Sequence, residues 1–204
     1  MKRNLMIIAA CAALAIAVSA QTPVQHSEFS VQYSGVFTHN FSNNPTRHLA
    51  TNSGGILAGY RFQINNWEGL EVQYGFTRNG QKYITPATAA GSPAVNNYIT
   101  ADMNQFIANE VLSTPRLGPF KPFVVVGGGV LDFIPRRQAG LVLTHQLRGT
   151  FNYGAGLDLI IDHIGVRVEF QGLVFKIPDF GDSALATNKW THVAQPSAGL
   201  VLTF

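Results

Sequence analysis

The sequence predicts an all-β fold, an eight-stranded antiparallel up-and-down transmembrane β-barrel, and three observations predict it. The 204 residues are 46% hydrophobic and only 12% charged, yet beyond the first twenty no apolar run approaches the ~18 to 20 residues of a membrane-spanning helix. Apolar residues recur instead at every second position, the period of a strand with one nonpolar face. The connections between these segments alternate between short and long, as in a membrane barrel with tight turns on one rim and loops on the other. The hydrophobic content excludes disorder. The lone cysteine, Cys11, excludes a disulfide scaffold or a cysteine-based zinc site.

Residues 1–20 read as a secretory signal peptide. Lys2 and Arg3 precede an apolar stretch from Leu5 to Val18, and Val18-Ser19-Ala20 supplies the small residues of a cleavage site before Gln21. A signal anchor needs a longer stretch, and a lipoprotein signal needs its cysteine at the end of the apolar stretch, whereas Cys11 lies inside it. The remaining domain is 21–204. Losing Lys2 and Arg3 takes the formal net charge from +3 to +1, and with it the main support for a nucleic-acid partner.

The first strand, residues 28–40, alternates Phe29, Val31, Tyr33 and Phe37 with Ser30, Gln32, Ser34 and Thr38. The next two, 53–63 and 67–78, form the clearest hairpin, turning at Ile64-Asn65-Asn66. On the former, Ile56, Ala58, Tyr60 and Phe62 oppose Leu57, Gly59, Arg61 and Gln63; on the latter, Leu70, Val72, Tyr74 and Phe76 oppose Glu71, Gln73, Gly75 and Thr77. A fourth strand, 97–112, has no cleanly apolar face, and a fifth, 120–133, is a continuous apolar run containing Gly127, Gly128 and Gly129. In the sixth, 143–160, Phe151, Tyr153, Ala155, Leu157 and Leu159 oppose Asn152, Gly154, Gly156 and Asp158. In the seventh, 164–176, Val166, Val168 and Phe170 oppose Arg167, Glu169 and Gln171. The eighth, 192–204, sets Ala198, Leu200, Leu202 and Phe204 against Ser197, Gly199, Val201 and Thr203. Connections are short at 64–66, 113–119 and 161–163, intermediate at 134–142, and long at 41–52, 79–96 and 177–191, so both termini fall on the short-turn rim. The 79–96 connection, with Asn79-Gly80 and a small, proline-interrupted stretch from Thr85 to Pro93, reads as an exposed loop.

Period 2 alone does not separate a membrane barrel from a soluble sandwich, but charge placement does. The polar face carries Ser, Thr, Gln, Asn and Gly with few charges, whereas a water-exposed surface typically has about 25–35% charged residues. It suits a narrow interior in which Gly59, Gly75, Gly128, Gly154 and Gly156 relieve crowding. The charges on this face fall in pairs. Asp158 and Arg167 stand opposite if Asp162-His163 is a two-residue turn, Glu169 follows two residues later on the same face, and Arg61 and Glu71 are opposite or diagonal. Isolated charges in a low-dielectric interior are costly, so Arg61, Glu71, Asp158, Arg167 and Glu169, together with Asp132, are predicted to form a structural ion network inside the barrel. Aromatic girdles are expected from Phe29, Phe62, Trp67, Phe120 and Phe204 at the short-turn rim and from Phe37, Phe76 and Phe133 at the other.

The C-terminal Ala198-Gly-Leu-Val-Leu-Thr-Phe204, with apolar residues alternating back from a terminal Phe, resembles the signal read by the barrel-assembly machinery. Phe123-Val-Val-Val-Gly-Gly-Gly-Val-Leu-Asp-Phe133, Phe151-Asn-Tyr-Gly-Ala-Gly-Leu-Asp158 and Val166-Arg-Val-Glu-Phe-Gln-Gly172 resemble strand motifs of the small OmpA/OmpX-like outer-membrane β-barrel superfamily, over essentially the whole of 21–204. The resemblance implies residence in the bacterial outer membrane, with both termini periplasmic and outer-membrane lipids around the barrel. It also implies biogenesis through the barrel-assembly machinery and periplasmic chaperones, with Leu200, Leu202 and Phe204 as the assembly signal, and a monomer without cofactors. The chain stops at Phe204, so the peptidoglycan-binding domain of full-length OmpA-type proteins is not expected.

The leading expectation is a non-enzymatic outer-membrane barrel with a filled polar interior and a structural or surface role for its long loops. An eight-stranded barrel is just wide enough for side chains to fill, so the alternative is a narrow channel for small or apolar solutes. A lipid-modifying enzyme is the third reading, because His39, His145 and His192 fall near the expected outer rim with Ser42 and Ser183. No His-x-Ser-Asn motif occurs and the histidines share no metal-ligand spacing, so no catalytic, cofactor or metal residue is assigned.

Overall fold

The computed structural model describes residues 26–38, 47–50, 52–85, 95–136, 143–181 and 189–204. The expected signal peptide at 1–20, His39, Ser42, Ser183 and residues 86–94 of the expected exposed loop lie outside the described residues. The strands are β1 (His26–Thr38), β2 (Arg47–Ala50), β3 (Ser53–Gln63), β4 (Glu68–Thr85), β5 (Val95–Ser113), β6 (Phe120–Pro135), β7 (Gln146–Ile161), β8 (Ile164–Lys176) and β9 (Trp190–Thr203). From β3 to β9 each strand pairs antiparallel with the next, and β1 pairs with both β3 and β9, which closes the sheet. The short β2 pairs with β4 beyond the end of β3, so it prolongs that wall and the barrel has eight.

The register shows the strand tilt. From Glu28 it runs through Arg61, Glu71, Asn109, Gly127, Asn152, Leu173 and Val193 and regains β1 at Thr38, ten residues along (38 − 28). A closed sheet needs such a stagger, and it tilts the strands against the barrel axis.

Local chemistry sets the tight turns. Asn65 Oδ1 accepts the N–H groups of Trp67 and Glu68 at 2.8 and 2.9 Å, an Asx arrangement that reverses the chain between β3 and β4. Asp162, at φ 60°, forms with His163 the two-residue turn that sets Ile161 opposite Ile164.

Polar side chains point inward and apolar ones outward, the reverse of a water-soluble sheet. On β3, Gly55, Leu57, Gly59, Arg61 and Gln63 are buried between exposed Ile56, Tyr60 and Phe62. The girdle residues Phe29, Phe37, Phe62, Phe76, Trp67, Phe120 and Phe204 are all exposed. Phe133 corrects the expectation: it is buried inside, with its ring centroid 5.6 Å from that of Phe175. Gly128 is also corrected, since it lies on the outer face between Val126 and Val130 while Gly127 and Gly129 face in. Both errors arise because a run apolar at every position carries no period from which to read its facing.

β4 and β5 continue pairing to Thr85↔Val95, so much of the expected exposed loop is strand. Asn79-Gly80 sits inside that ladder opposite Ala101 and Thr100, because a neighbouring strand satisfies its backbone and the local turn preference is overridden. At this end the barrel reverses its polarity. Along β5 the inward face passes from Asn109 and Gln105 to Met103, Ala101 and Ile99, while the outward face passes from Leu112 and Phe106 to Asp102. This exchange explains why the 97–112 segment shows no cleanly apolar face.

Candidate functional site

The lumen is occupied at three levels. Nearest the short turns, two register triads of charge face each other. Glu28, Arg61 and Glu71 stand side by side on β1, β3 and β4. Lys121, Asp158 and Arg167 stand side by side on β6, β7 and β8 of the opposite wall. One wall reads acid, base, acid and the other base, acid, base, so the walls are complementary and the six formal charges cancel. Within the walls, Arg61 Nη2 lies 2.8 Å from Glu71 Oε2, and Arg167 grips Asp158 bidentately at 2.6 and 2.8 Å. Across the lumen, Arg167 reaches Glu28 at 2.7 Å and Glu71 at 3.1 Å, Lys121 reaches Glu28 at 2.7 Å, and Arg61 lies 3.4 Å from Asp158.

The Phe123 ring lies against both guanidiniums, 4.1 Å from Arg61 and 5.0 Å from Arg167, a contact that favours delocalised cations over a nonpolar wall. No member of the six is more than 7% exposed. Buried charges persist only when each is paired and hydrogen-bonded, and the double wall supplies those partners.

The structure thus gathers Arg61, Glu71, Asp158 and Arg167. Glu169 is buried beside them, but amides hold it: Gln171 Nε2 donates at 2.9 Å and Gln32 Nε2 at 3.3 Å. Asp132 does not join. It shares the outward face of β6 with Val130 and Ile134 and pairs with His145. It also lies eleven residues from Lys121 (132 − 121), roughly 36 Å along a strand. Sequence reasoning missed Glu28 and Lys121. Glu28 has the same parity as Ser30 and Gln32 and was legible by that rule, whereas Lys121 opens the aperiodic apolar run.

The middle of the lumen is packed with amides. Asn152 Nδ2 donates to Asn109 at 2.8 Å, Gln105 to Gln195 at 3.3 Å, and Ser197 Oγ to Gln32 at 2.9 Å. Above them the interior is apolar, with Val36, Ile99, Met103, Leu131, Phe133, Leu173, Phe175 and Val193 in one buried cluster. The expected polar filling is therefore corrected at this level, where strands beyond the apolar band enclose an ordinary hydrophobic core.

A strap, residues 177–181, closes over that core with Ile177 and Phe180 buried in it. Gln146 anchors the strap: its Nε2 donates to Asp179 Oδ1 at 2.6 Å, and its Oε1 accepts the N–H groups of Asp179 and Phe180 at 2.9 and 3.1 Å. Thr144 N–H donates to the Phe180 carbonyl at 2.9 Å. Burial acts to raise the Asp179 pKa, but the Gln146 amide, the Gly181 N–H and the Arg148 guanidinium outweigh it and hold the carboxyl below its ordinary value. At the opposite end a polar vestibule of about 760 Å³ lies between the short turns, lined by Lys121, Arg116, His163 and Glu28.

Of the expected rim histidines, the two among the described residues have partners: His145 pairs with Asp132, and His192 lies 2.8 Å from the Tyr153 hydroxyl. Among the described residues no group of three or more His, Cys, Asp or Glu side chains is placed to hold a metal ion.

Similar proteins agree with this geometry. Residues 8–204 match the family model described as "Outer membrane protein beta-barrel domain". Ail, the attachment invasion locus protein of Yersinia pestis, solved in complex with the heparin analogue sucrose octasulfate, is 17% identical over 88% of this chain and 99% of its own, with a TM-score of 0.53. The outer membrane protein OprG of Pseudomonas aeruginosa is 12% identical over 88% and 96%, with a TM-score of 0.58. Neisserial surface protein A is 11% identical over 88% and 97%, with a TM-score of 0.56. At such identities the likeness is one of fold. No curated protein sequence matches the chain.

Proposed function

The chain belongs to the outer membrane protein beta-barrel domain family, and from that premise we propose that it is a non-enzymatic, monomeric surface barrel. Its termini and short turns face the periplasm and its long loops face the exterior. The observation that carries this reading is the double wall of six cancelling charges, which fills the lumen near the short turns with mutually paired side chains. Arg61, Glu71, Asp158 and Arg167 act as structural members of that wall, with Glu169 as a neutral-zone neighbour.

Biogenesis follows the sequence signals. Residues 1–20 direct export and are removed, periplasmic chaperones carry the chain, and the barrel-assembly machinery reads Leu200 and Leu202, exposed on β9, and Phe204, exposed just beyond its end. The last residue meets the first strand there: Ser27 and Phe204 exchange backbone hydrogen bonds of 2.8 and 2.9 Å where the barrel closes. Fractionation tests the placement. The protein should partition with the outer membrane, require detergent for extraction and change electrophoretic mobility on boiling; a freely soluble periplasmic product sinks the proposal. Protease added to intact cells should cut only the long loops.

The apolar upper lumen favours a second reading, a narrow channel for small or apolar solutes. Planar-bilayer recordings test it for ions and liposome uptake of a labelled apolar solute tests it for neutral ones; a barrel that passes neither is a scaffold.

A further inference from the structure

On the outer surface near the long-loop ends of β4, β5 and β6, Arg78, Asp102 and Arg136 form a bridged set. Arg78 Nε donates to Asp102 Oδ1 at 2.8 Å, and Arg136 donates to Asp102 Oδ2 through Nε at 3.3 Å and Nη2 at 3.1 Å. One carboxylate, itself 20% exposed, holds two guanidiniums that are 53% and 51% exposed. The set has a net charge of +1, and the Arg78 bond uses Nε alone, which leaves its Nη groups for an outside acceptor. One row nearer the membrane centre, Asn104 Oδ1 accepts the Tyr74 hydroxyl at 2.9 Å, so its amide N–H₂ is a third outward donor. The neighbouring Asp132 is paired with His145.

Nearer the membrane centre, the same three strands with β1 and β3 shape a groove of about 580 Å³. Its floor is Ala58, Ala108 and Gly128, and its walls are Tyr60, Tyr74 and Phe106. Ala108 and Gly128 stand opposite each other on β5 and β6 and leave a trough between the larger Val72, Tyr74 and Phe106, with Ala58 beyond β4. Ala108 lies six residues from Asp102 (108 − 102), about 20 Å along the strand, the length scale of an acyl chain.

We propose that this face binds a phosphorylated lipid of the outer leaflet, with its phosphate held by Arg78 and Arg136 and an acyl chain lying over Ala108. The proposal rests on the reading that the long-loop rim faces the exterior. Guanidiniums present paired N–H donors in the geometry a phosphate accepts, and a donor set at headgroup level with an apolar trough further along the same strands matches a lipid at both its ends. A neutral lipid fills only the trough. A soluble phosphate engages only the rim.

The test uses the full barrel in detergent, titrated by native mass spectrometry with lipid A, a phosphorylated glycolipid, or with its dephosphorylated form. Lipid A should bind about tenfold more tightly than the dephosphorylated form, the scale of one charge-assisted contact, and R78Q/R136Q should erase that difference. A108F, which fills the trough without touching the arginines, should weaken both lipids alike. Equal binding of the two lipids by the unaltered protein, or an undiminished difference in R78Q/R136Q, overturns the proposal, and so does tight lipid binding by A108F. Inorganic phosphate that displaces lipid A at equal concentration overturns the lipid assignment. Each variant is checked for the mobility shift on boiling. An unaltered chain without that shift overturns the barrel reading itself, whereas a folded barrel indifferent to phosphate overturns this site alone.

Discussion

Arg61 and Arg167 both reach the carboxylates of Glu28, Glu71 and Asp158, and Arg167 holds them more closely, at 2.6 to 3.1 Å against 2.8 to 3.4 Å. Arg167→Met keeps much of the volume but leaves the acidic members of both walls short of a cation. Breaking a buried network in this way typically costs about 3–5 kcal/mol. The temperature at which the barrel loses its mobility shift should fall sharply, and an unchanged midpoint would remove the network from any stabilising role. Glu169→Gln provides the contrast. Glu169 lies outside the cancelling set and accepts from two amides, so exchanging its carboxylate for an amide should alter stability by about 1 kcal/mol or less, the scale of one hydrogen bond. Legibility at this scale follows periodicity. Arg61, Glu71, Asp158 and Arg167 fall on strands whose alternation is unbroken, so their facing and register can be read from the sequence. Asp132 and Lys121 lie on the strand that is apolar at nearly every position, and there the inward parity was read one residue out of step for Gly128, Phe133 and Asp132 alike.

At the scale of the element, the strap 177–181 is the segment that depends most on its neighbours. Phe180 has a φ of 52°, a left-handed conformation that a bulky residue resists, yet its side chain is fully buried in the apolar tier. The strain is offset by burial of the ring and by the Gln146 anchor. Phe180→Gly would relieve the backbone but empty a ring-sized space; loss of a buried Phe typically costs about 3–5 kcal/mol, more than the ~1–3 kcal/mol of a strained φ. Protease should therefore cut this segment faster in Phe180→Gly than in the unaltered protein. The sign of the pH effect follows from Asp179, whose carboxyl titrates below its ordinary value when the strap is docked. Docking favours the ionised form, so that contribution is complete at neutral pH and disappears as the pH falls through the lowered pKa. The amide NMR signals of Phe180 and Gly181 in micelles should move in that acid range, and Asp179→Asn should abolish the transition. Nothing in the sequence announced the strap, because Ile177-Pro-Asp-Phe180 has no period and its structure depends on Gln146, 33 residues away from Asp179.

Across the whole molecule, the barrel itself was readable because one periodicity governs nearly every strand, while the interior was only half readable. The sequence shows which face is polar, but the lumen turns apolar where the strands outrun the membrane band, and only the closed structure places Ile99, Met103, Phe133 and Phe175 together. The consequence is two barriers in series. A solute entering from the loop side meets the strap and the apolar tier; an ion entering through the vestibule meets the charged double wall. Opening either one leaves the other in place. The Phe180→Ala barrel should therefore remain as silent as the unaltered protein in planar bilayers, because beneath its loosened mouth Arg61 and Arg167 still bridge the two walls at 2.7 to 3.4 Å. A barrel that combines Phe180→Ala with Arg167→Met loses the buried ring at one level and the cross-lumen guanidinium at the other, so discrete conductance steps should appear in the double variant alone. Conductance from the single strap variant would mean that the charged wall yields to ions even when its pairs are intact, and the filled-lumen account of this barrel would then fail.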